Sequence, residues 1–392
     1  MKSEIFSLGT LCKRVVSGGT PKSTISSYYC GNIPWLNSKE VHFNRIYKTE
    51  KSISIHGLQN SSAKWIPSNC VIIAMYGATA GNVAINLVPL TTNQACCNLE
   101  IDETKANYKY IYYYLKMNYK KLSLLANGGA QQNLNSKLIK DFPIILPPLH
   151  KQNYIANILW SIDNKIELNN TINDNLQQQA QTIYHEHFEN ISPDDLPPNW
   201  HIVSLGEVIT ISKKSFNPKK ETKRMIEHYS IPAFDETKFP IFESSTFIKS
   251  NKFVIDASCF MISKLNPTTK RVWKPYCLTD NTVCSTEFIV YKAKDEFITD
   301  FLYSVIDSQS FSEFMCSHVT GSTGSRQRTT PSDTLSYKFV LPSNEVLVEF
   351  QSVVSPIYNQ IRINAIETYK LKIIRDTLLP KLLSGEIDIS DI

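Results

Sequence analysis

Two stretches of the chain carry an apolar stripe at helical spacing. From Lys151 to about Phe188, apolar residues stand at Ile155, Leu159, Ile162, Ile166, Ile172, Leu176, Ala180 and Ile183, with one wider gap across Asn169. Steps of three and four predict a long amphipathic helix. Pro147-Pro148 marks its start and Pro193 its stop. From Glu345 to Leu379 a second stripe runs through Phe350, Val354, Ile357, Ile361, Leu371 and Leu378, and Pro380 is expected to end or kink that helix. Other apolar runs are strand-sized. Cys70–Met75, Ile144–Leu146, Cys259–Ser263 and Phe339–Leu341 read as strands, and no run approaches the ~18–20 residues a membrane span needs.

The pattern also repeats. Phe142-Pro143-Ile144-Ile145-Leu146-Pro147 matches Tyr337-Lys338-Phe339-Val340-Leu341-Pro342, 195 positions on (146 to 341). The segment Ile162–Asn169 matches Ile357–Asn364 at the same offset (162 to 357), and Ser7-Leu8-Gly9 recurs as Ser204-Leu205-Gly206. The middles match less well: Cys70-Val71-Ile72-Ile73 resembles Cys259-Phe260-Met261-Ile262, and Asn93 to Cys96 resembles Asn281 to Cys284. A duplicated unit follows, a variable globular part and then a helix. The expected organisation is a domain over residues 1–149, a helix over 150–189, a Pro-rich linker over 190–199, a second domain over 200–343, and a second helix and tail over 344–392.

A helix of ~35 residues at 1.5 Å each is about 50 Å long. That is longer than a ~150-residue domain is wide, so packing on its own domain alone fits poorly. The two stripes can satisfy each other instead. The expected seam is Ile155, Ile162, Ile166, Asn169, Leu176 and Ile183 against Ile357, Ile361, Asn364, Leu371 and Leu378. Asn169 and Asn364 are equivalent polar positions of the kind that fixes register. The fold class is therefore α+β: two α/β domains separated by two long helices in an antiparallel coiled coil, a pseudo-two-fold internal repeat. Such a rod would set two sites roughly one to one and a half duplex turns apart.

Charge and composition alter this little. A net charge of +5 permits nucleic-acid binding without demanding it. Nine cysteines, with Cys96 and Cys97 adjacent and no Cys-x-x-Cys, suggest a reduced intracellular chain rather than a disulfide framework or a zinc site. Residues Met1 to Thr10 hold no apolar signal segment, so a cytoplasmic location is expected.

Several segments together resemble one family. They are Ser17-Gly18-Gly19-Thr20-Pro21, Ile33-Pro34-Trp35-Leu36, Ala74-Met75-Tyr76-Gly77-Ala78-Thr79-Ala80-Gly81, Thr92-Asn93-Gln94-Ala95, and the ending Leu378-Leu379-Pro380-Lys381-Leu382-Leu383-Ser384-Gly385-Glu386-Ile387. On these the chain resembles, along nearly its whole length, the specificity (S) subunits of Type I restriction-modification enzymes. The second half departs from the pattern: it lacks Gly-Gly-Thr-Pro, and Lys264 to Lys270 stands where the first half has Tyr76 to Gly81. The resemblance implies two target recognition domains, each reading one half of a bipartite double-stranded DNA target. It implies two methyltransferase subunits held on the helices, two ATP-driven restriction and translocase subunits, and adenine methylation. S-adenosylmethionine, ATP and magnesium would then belong to the partners, with no cofactor or metal bound by this chain.

Base reading needs paired donors and acceptors, and phosphate contact needs cations or free backbone N–H groups. In the first half the candidates are Thr20 and Lys22, Ser38 and Lys39, Tyr76, Gly77, Thr79 and Gly81 in a small-residue turn after a strand, Asn93 and Gln94, and Gly129, Gln131 and Gln132 in a glycine loop. The matching loop of the second half offers Ser325, Arg326, Gln327 and Arg328. Lys213 and Lys214 open a basic stretch, and Lys264, Lys270 and Arg271 form another beside Trp273. Each of these also reads as an ordinary turn or a solvated face.

Enzyme readings fit less well. The turn at Gly77 lacks the Gly-Lys-Ser/Thr ending of a nucleotide-binding loop. Leu146-Pro147-Pro148-Leu149 and Leu196-Pro197-Pro198-Asn199 lack the Asn or Asp a methyltransferase motif needs before its prolines. A nuclease built on Asp194, Glu221 and Lys223 is the alternative from another class, yet Glu-x-Lys recurs at Glu103 and Glu236. His185 and His187 diverge on a helix and suit a surface better than a metal. A recognition subunit of a methylation-only or other multisubunit system is the remaining alternative.

Overall fold

The computed structural model describes residues 4–125, 133–220, 224–320 and 327–387. The chain divides into two compact units, one of residues 1–165 with 371–392 and one of residues 166–370. Each contains a piece of both long helices. Among the described residues no helix is long and apolar enough to cross a membrane.

In the first unit, a five-stranded sheet has the order Cys12–Ser17, Cys96–Ile101, Val71–Ala74, Val83–Asn86, Arg45–Ile46. Val71–Ala74 lies at its centre and is buried on both faces, which is why its sequence is continuously apolar instead of alternating. A second sheet runs Lys51–Ile53, Ile33–Leu36, Leu90–Thr92, Trp65–Ile66. The helix Tyr108–Met117 closes the core with Tyr110 through Leu115, all buried. Glu4–Ser7 pairs antiparallel with Pro143–Leu146, so the start of the chain is tied to the strand that precedes the first long helix.

The second unit repeats this plan. His201–Ser204 pairs antiparallel with Lys338–Leu341. One sheet runs Ile209–Ser212, Phe288–Ala293, Cys259–Ser263, Val272–Trp273, and another runs Ser215–Phe216, Lys252–Val254, Thr282–Ser285, Met225–Tyr229, Ile241–Ser244. Each unit has a parallel strand pair at the corresponding place, Ile33–Leu36 with Leu90–Thr92 in one and Met225–Tyr229 with Thr282–Ser285 in the other. The strands expected at Cys70–Met75, Ile144–Leu146, Cys259–Ser263 and Phe339–Leu341 form with ends shifted by at most one residue.

The first long helix spans Leu149–Tyr184 and the second Asn344–Ser384. The second passes through Pro380 instead of ending there. Leu379 and Leu382, on either side, are both buried in the core of the first unit, and their burial, roughly 1.5–3 kcal/mol each, offsets the roughly 3 kcal/mol a helical proline costs. The helix stops at Gly385, whose φ of +75° is the left-handed geometry of a glycine cap.

The expected antiparallel pairing of the helices is present, and the helices also pack on the globular cores. In the first unit Ile155, Ala156 and Leu159 are core residues of the globular part, Leu378 packs on the same core, and Ile162 and Leu371 are half-buried. In the second, Ala180 and Tyr184 share a core with Phe350, Val354 and Tyr358, with Ile183, Ile357 and Ile361 packed against it and Leu176 half-buried. Ile166 is buried. Within this unit the helices also touch each other directly. Asn169 Nδ2 donates to Glu367 Oε2 at 2.7 Å, Asn364 Nδ2 to Asn173 Oδ1 at 2.9 Å, and Asn173 Nδ2 to the Ile361 carbonyl at 3.1 Å. Rising numbers on one helix meet falling numbers on the other, so the pairing there is antiparallel. Each helix thus contributes side chains to both globular cores and touches its partner helix.

Candidate nucleic-acid interface

In the first unit, four loops converge because of strand direction. Ile33–Leu36 and Leu90–Thr92 are parallel, with Leu36 opposite Thr92, so they end at one edge and residues 37–40 and 93–95 leave it together. The Asn93 amide donates to the Leu36 carbonyl at 2.9 Å and fastens the two exits. Val71–Ala74 is antiparallel to Cys96–Ile101, so its exit meets their entry, and the Met75 amide donates to the Ala95 carbonyl at 2.7 Å. Residues 18–20 form the fourth loop. The Gly18 amide donates to the Cys96 carbonyl at 3.3 Å and the Gly19 amide to the Thr92 carbonyl at 2.8 Å.

This convergence gathers most of the first-half candidates. The Thr20 hydroxyl donates to Gln94 Oε1, and both residues are exposed. The Thr79 hydroxyl donates to the Ser38 carbonyl at 3.0 Å. Tyr76 and Gly77 are exposed beside them, and Gly77 (φ +74°) and Gly81 (φ +88°) take left-handed backbone that few other residues adopt. The turn spends three of its own amides: Ala80 donates to Gly77, Gly81 to Ala74 and Asn82 to Thr79. Lys22 is exposed. Lys39 is exposed and pairs with Glu50 at 2.7 Å, a surface pair that contributes little and is easily exchanged; the Glu50 carboxylate raises its pKa. Asn93 differs from its neighbour Gln94. It is buried, and its Oδ1 accepts from the Ala95 amide at 3.2 Å and the Cys96 thiol at 3.3 Å, so it shapes the turn. Gly129, Gln131 and Gln132 lie outside the described residues.

In the second unit, three candidate cations already have carboxylate partners. Arg271 grips Asp235 with two bonds, at 2.6 and 2.9 Å. Arg328 grips Glu287 likewise, at 3.0 and 3.2 Å, which raises its pKa. Lys270 Nζ lies 3.0 Å from Asp307 Oδ1 and donates to the Asp307 carbonyl at 2.6 Å. Burial pushes the Asp307 carboxyl upward, opposed by Lys270. These partners lie 36 to 41 residues away from their cations, which is why nothing local in the sequence announces them. Lys213 and Lys214 are exposed and Lys264 is half-buried. The Gln327 carbonyl accepts from the Asn266 amide at 2.9 Å, joining the 264–270 loop to the Val319–Thr320/Arg328–Thr329 hairpin. Trp273 is a core residue packed on Tyr229 at 4.6 Å and offers no exposed stacking face. Ser325 and Arg326 lie outside the described residues, as do Glu221 and Lys223. Asp194 sits in a short turn, Pro193–Asp195. His185 pairs with Glu189 at 2.9 Å and His187 Nδ1 bonds the Ile183 carbonyl at 2.8 Å. Among the described residues no cluster of three metal-ligating side chains occurs.

A family model described as the Type I restriction modification DNA specificity domain matches residues 2–178. The Type I restriction enzyme MjaIX specificity subunit of Methanocaldococcus jannaschii is 24% identical, over 96% of this chain and 92% of the relative. The EcoR124I/EcoR124II specificity subunit of Escherichia coli is 29% identical over 42% of this chain and 41% of its own length. The crystal structure of a Type I restriction-modification S subunit from M. genitalium superposes with a TM-score of 0.63 over 97% of this chain and 96% of that one, at 17% identity. That likeness shows a shared fold.

Proposed function

We propose that this chain, which a model of the Type I restriction modification DNA specificity domain matches over residues 2–178, is a recognition subunit that reads a bipartite target and leaves chemistry to its partners. Each unit reads one half of the target, the first through the edge where residues 18–22, 37–40, 75–81 and 93–95 meet. The long helices carry two methyltransferase subunits that methylate adenine, and two restriction and translocase subunits join them. S-adenosylmethionine, ATP and magnesium serve those partners, and this chain contributes no catalytic group. One observation supports the reading above the others: the same strand plan, with a parallel pair at the corresponding place, occurs once in each unit. A duplicated reader suits a divided target.

The test is co-expression with the cognate methyltransferase and genome-wide mapping of modified bases. A split motif with a fixed unspecified spacer and methyladenine in both halves supports the proposal. A continuous motif, or modification independent of sequence, contradicts it.

A further inference from the structure

We propose that Gln94 reads the edge of an adenine and that Thr20 is the positioning residue that orients its amide. The inference rests on the DNA-reading function proposed above and adds a named base to it. Gln94 is exposed at the turn where all four loops of the first unit meet, while Asn93 beside it is buried and committed to the turn. Gln94 is therefore presented outward on a fixed support.

Its amide is also oriented. The Thr20 hydroxyl donates to Oε1 and so takes one of the two lone pairs of that oxygen. The second lone pair and the amine hydrogens form the acceptor-donor edge that matches N6 and N7 of adenine in the major groove. A glutamine reading guanine would need two donors side by side, which one amide does not supply.

The chain commits unusual backbone to this contact. A Cβ on Gly18 would lie 2.1 Å from the Thr92 carbonyl oxygen, and one on Gly19 would lie 2.2 Å from the Ala63 nitrogen. At Gly18 only glycine lets the segment come so close to the Gln94 turn, and at Gly19 only glycine lets it pass residues 62–63 on its other side. The buried indole of Trp35 then donates to the Gly19 carbonyl at 2.9 Å and pins the segment from below. Gly18 against Thr92, Gly19 against residues 62–63 and the Trp35 indole together fix the backbone that carries Thr20. A hydroxyl needed only for solubility would require none of them.

The experiment uses the full chain with its methyltransferase partner and a panel of duplexes substituted at each position of the mapped target. Gln94→Ala is expected to lower discrimination roughly 5- to 150-fold at one A·T position in one half-site, with other positions unchanged. Gln94→Glu, of the same shape, replaces the amine with a second acceptor and should move the preference at that position towards cytosine; it keeps the test open if the alanine variant folds poorly. Thr20→Val should weaken discrimination at the same position, and Thr20→Ser should restore it. Unchanged discrimination in Gln94→Ala, a change at a G·C position, or an equal loss on every duplex with a flatter salt dependence would each overturn the assignment. Normal discrimination in Thr20→Val would overturn the role of Thr20. A wild-type protein that shows no sequence preference would defeat the underlying reading, and that result is visible before any variant is made.

Discussion

Asp163 is the most informative single position for how the helices are held to the first globular part. It lies on the first long helix and is buried. Its carboxylate accepts from the Tyr113 hydroxyl at 2.6 Å and from Arg375 on the second helix at 2.8 Å, and Arg45 lies 3.9 Å away. Arg45 in turn stacks on Trp160 at 3.5 Å. Burial opposes the charge of Arg375, yet its bonds to Asp376 and Asp163 raise its pKa overall. Replacing Asp163 with Asn keeps an acceptor for Tyr113 but leaves two guanidinium groups without their shared counter-charge. The Asp163 and Arg375 side chains are only 10% and 15% exposed, so solvent screening is slight and the loss should be about 3–5 kcal/mol. At roughly 2–4 °C per kcal/mol for a domain of this size, the melting transition should fall by about 6–20 °C. Calorimetry of the full chain reads this directly. The double change Asp163→Leu with Arg375→Leu should cost less than the sum of the single changes, because Arg375 is then no longer left beside a lost carboxylate. A D163N protein within about 1 kcal/mol of the parent, or strictly additive single changes, would refute the reasoning.

Three further outcomes are expected. Burial holds the His228 imidazole below its ordinary pKa of 6.5, against Glu243 at 2.7 Å and with Lys252 nearby. The unfolded chain therefore takes up that proton first, and His228 should cost stability as pH falls through about 6.5 towards the lower folded value. Denaturant titrations at pH 7.5 and 5.5 should show that difference, reduced in His228→Gln; an unchanged difference would count against it. If Lys213 and Lys214 touch phosphate, replacing both with Ala should reduce the salt slope of DNA binding by about 0.9 per contact. Lys270→Met should leave the slope alone and lower stability by exposing Asp307 to an unpaired burial; the reverse pattern would exchange their roles. Gly18→Ala forces a Cβ to 2.1 Å from backbone oxygen, so melting temperature and DNA affinity should drop together, and a fully active variant would show that the segment can move.

The long helices, the duplication and the central strands were legible because each depends on periodicity or self-similarity, which a single chain displays. The alternation Ile155–Leu159–Ile162–Ile166 shows a helix, but it did not show that the early positions belong to a globular core and the later ones to the helix pair. That division depends on long-range packing. Pro380 shows the same limit: local propensity would end or kink a helix there, and the helix runs on to Ser384 with a buried leucine on either side. In the candidate interface, glycine-rich segments announced tight backbone, and the structure brings them to one edge. The cations of the second half were the least legible. Arg271, Arg328 and Lys270 look like free phosphate ligands in sequence, yet each is paired with a carboxylate from another element.

Exchange of residues 200–343 for the corresponding segment of a Type I specificity subunit, followed by mapping of methylated bases, asks whether the two units read separate half-sites. One half of the target should change while the other half and the spacer stay as they were. A change in both halves, or in neither, would contradict that reading.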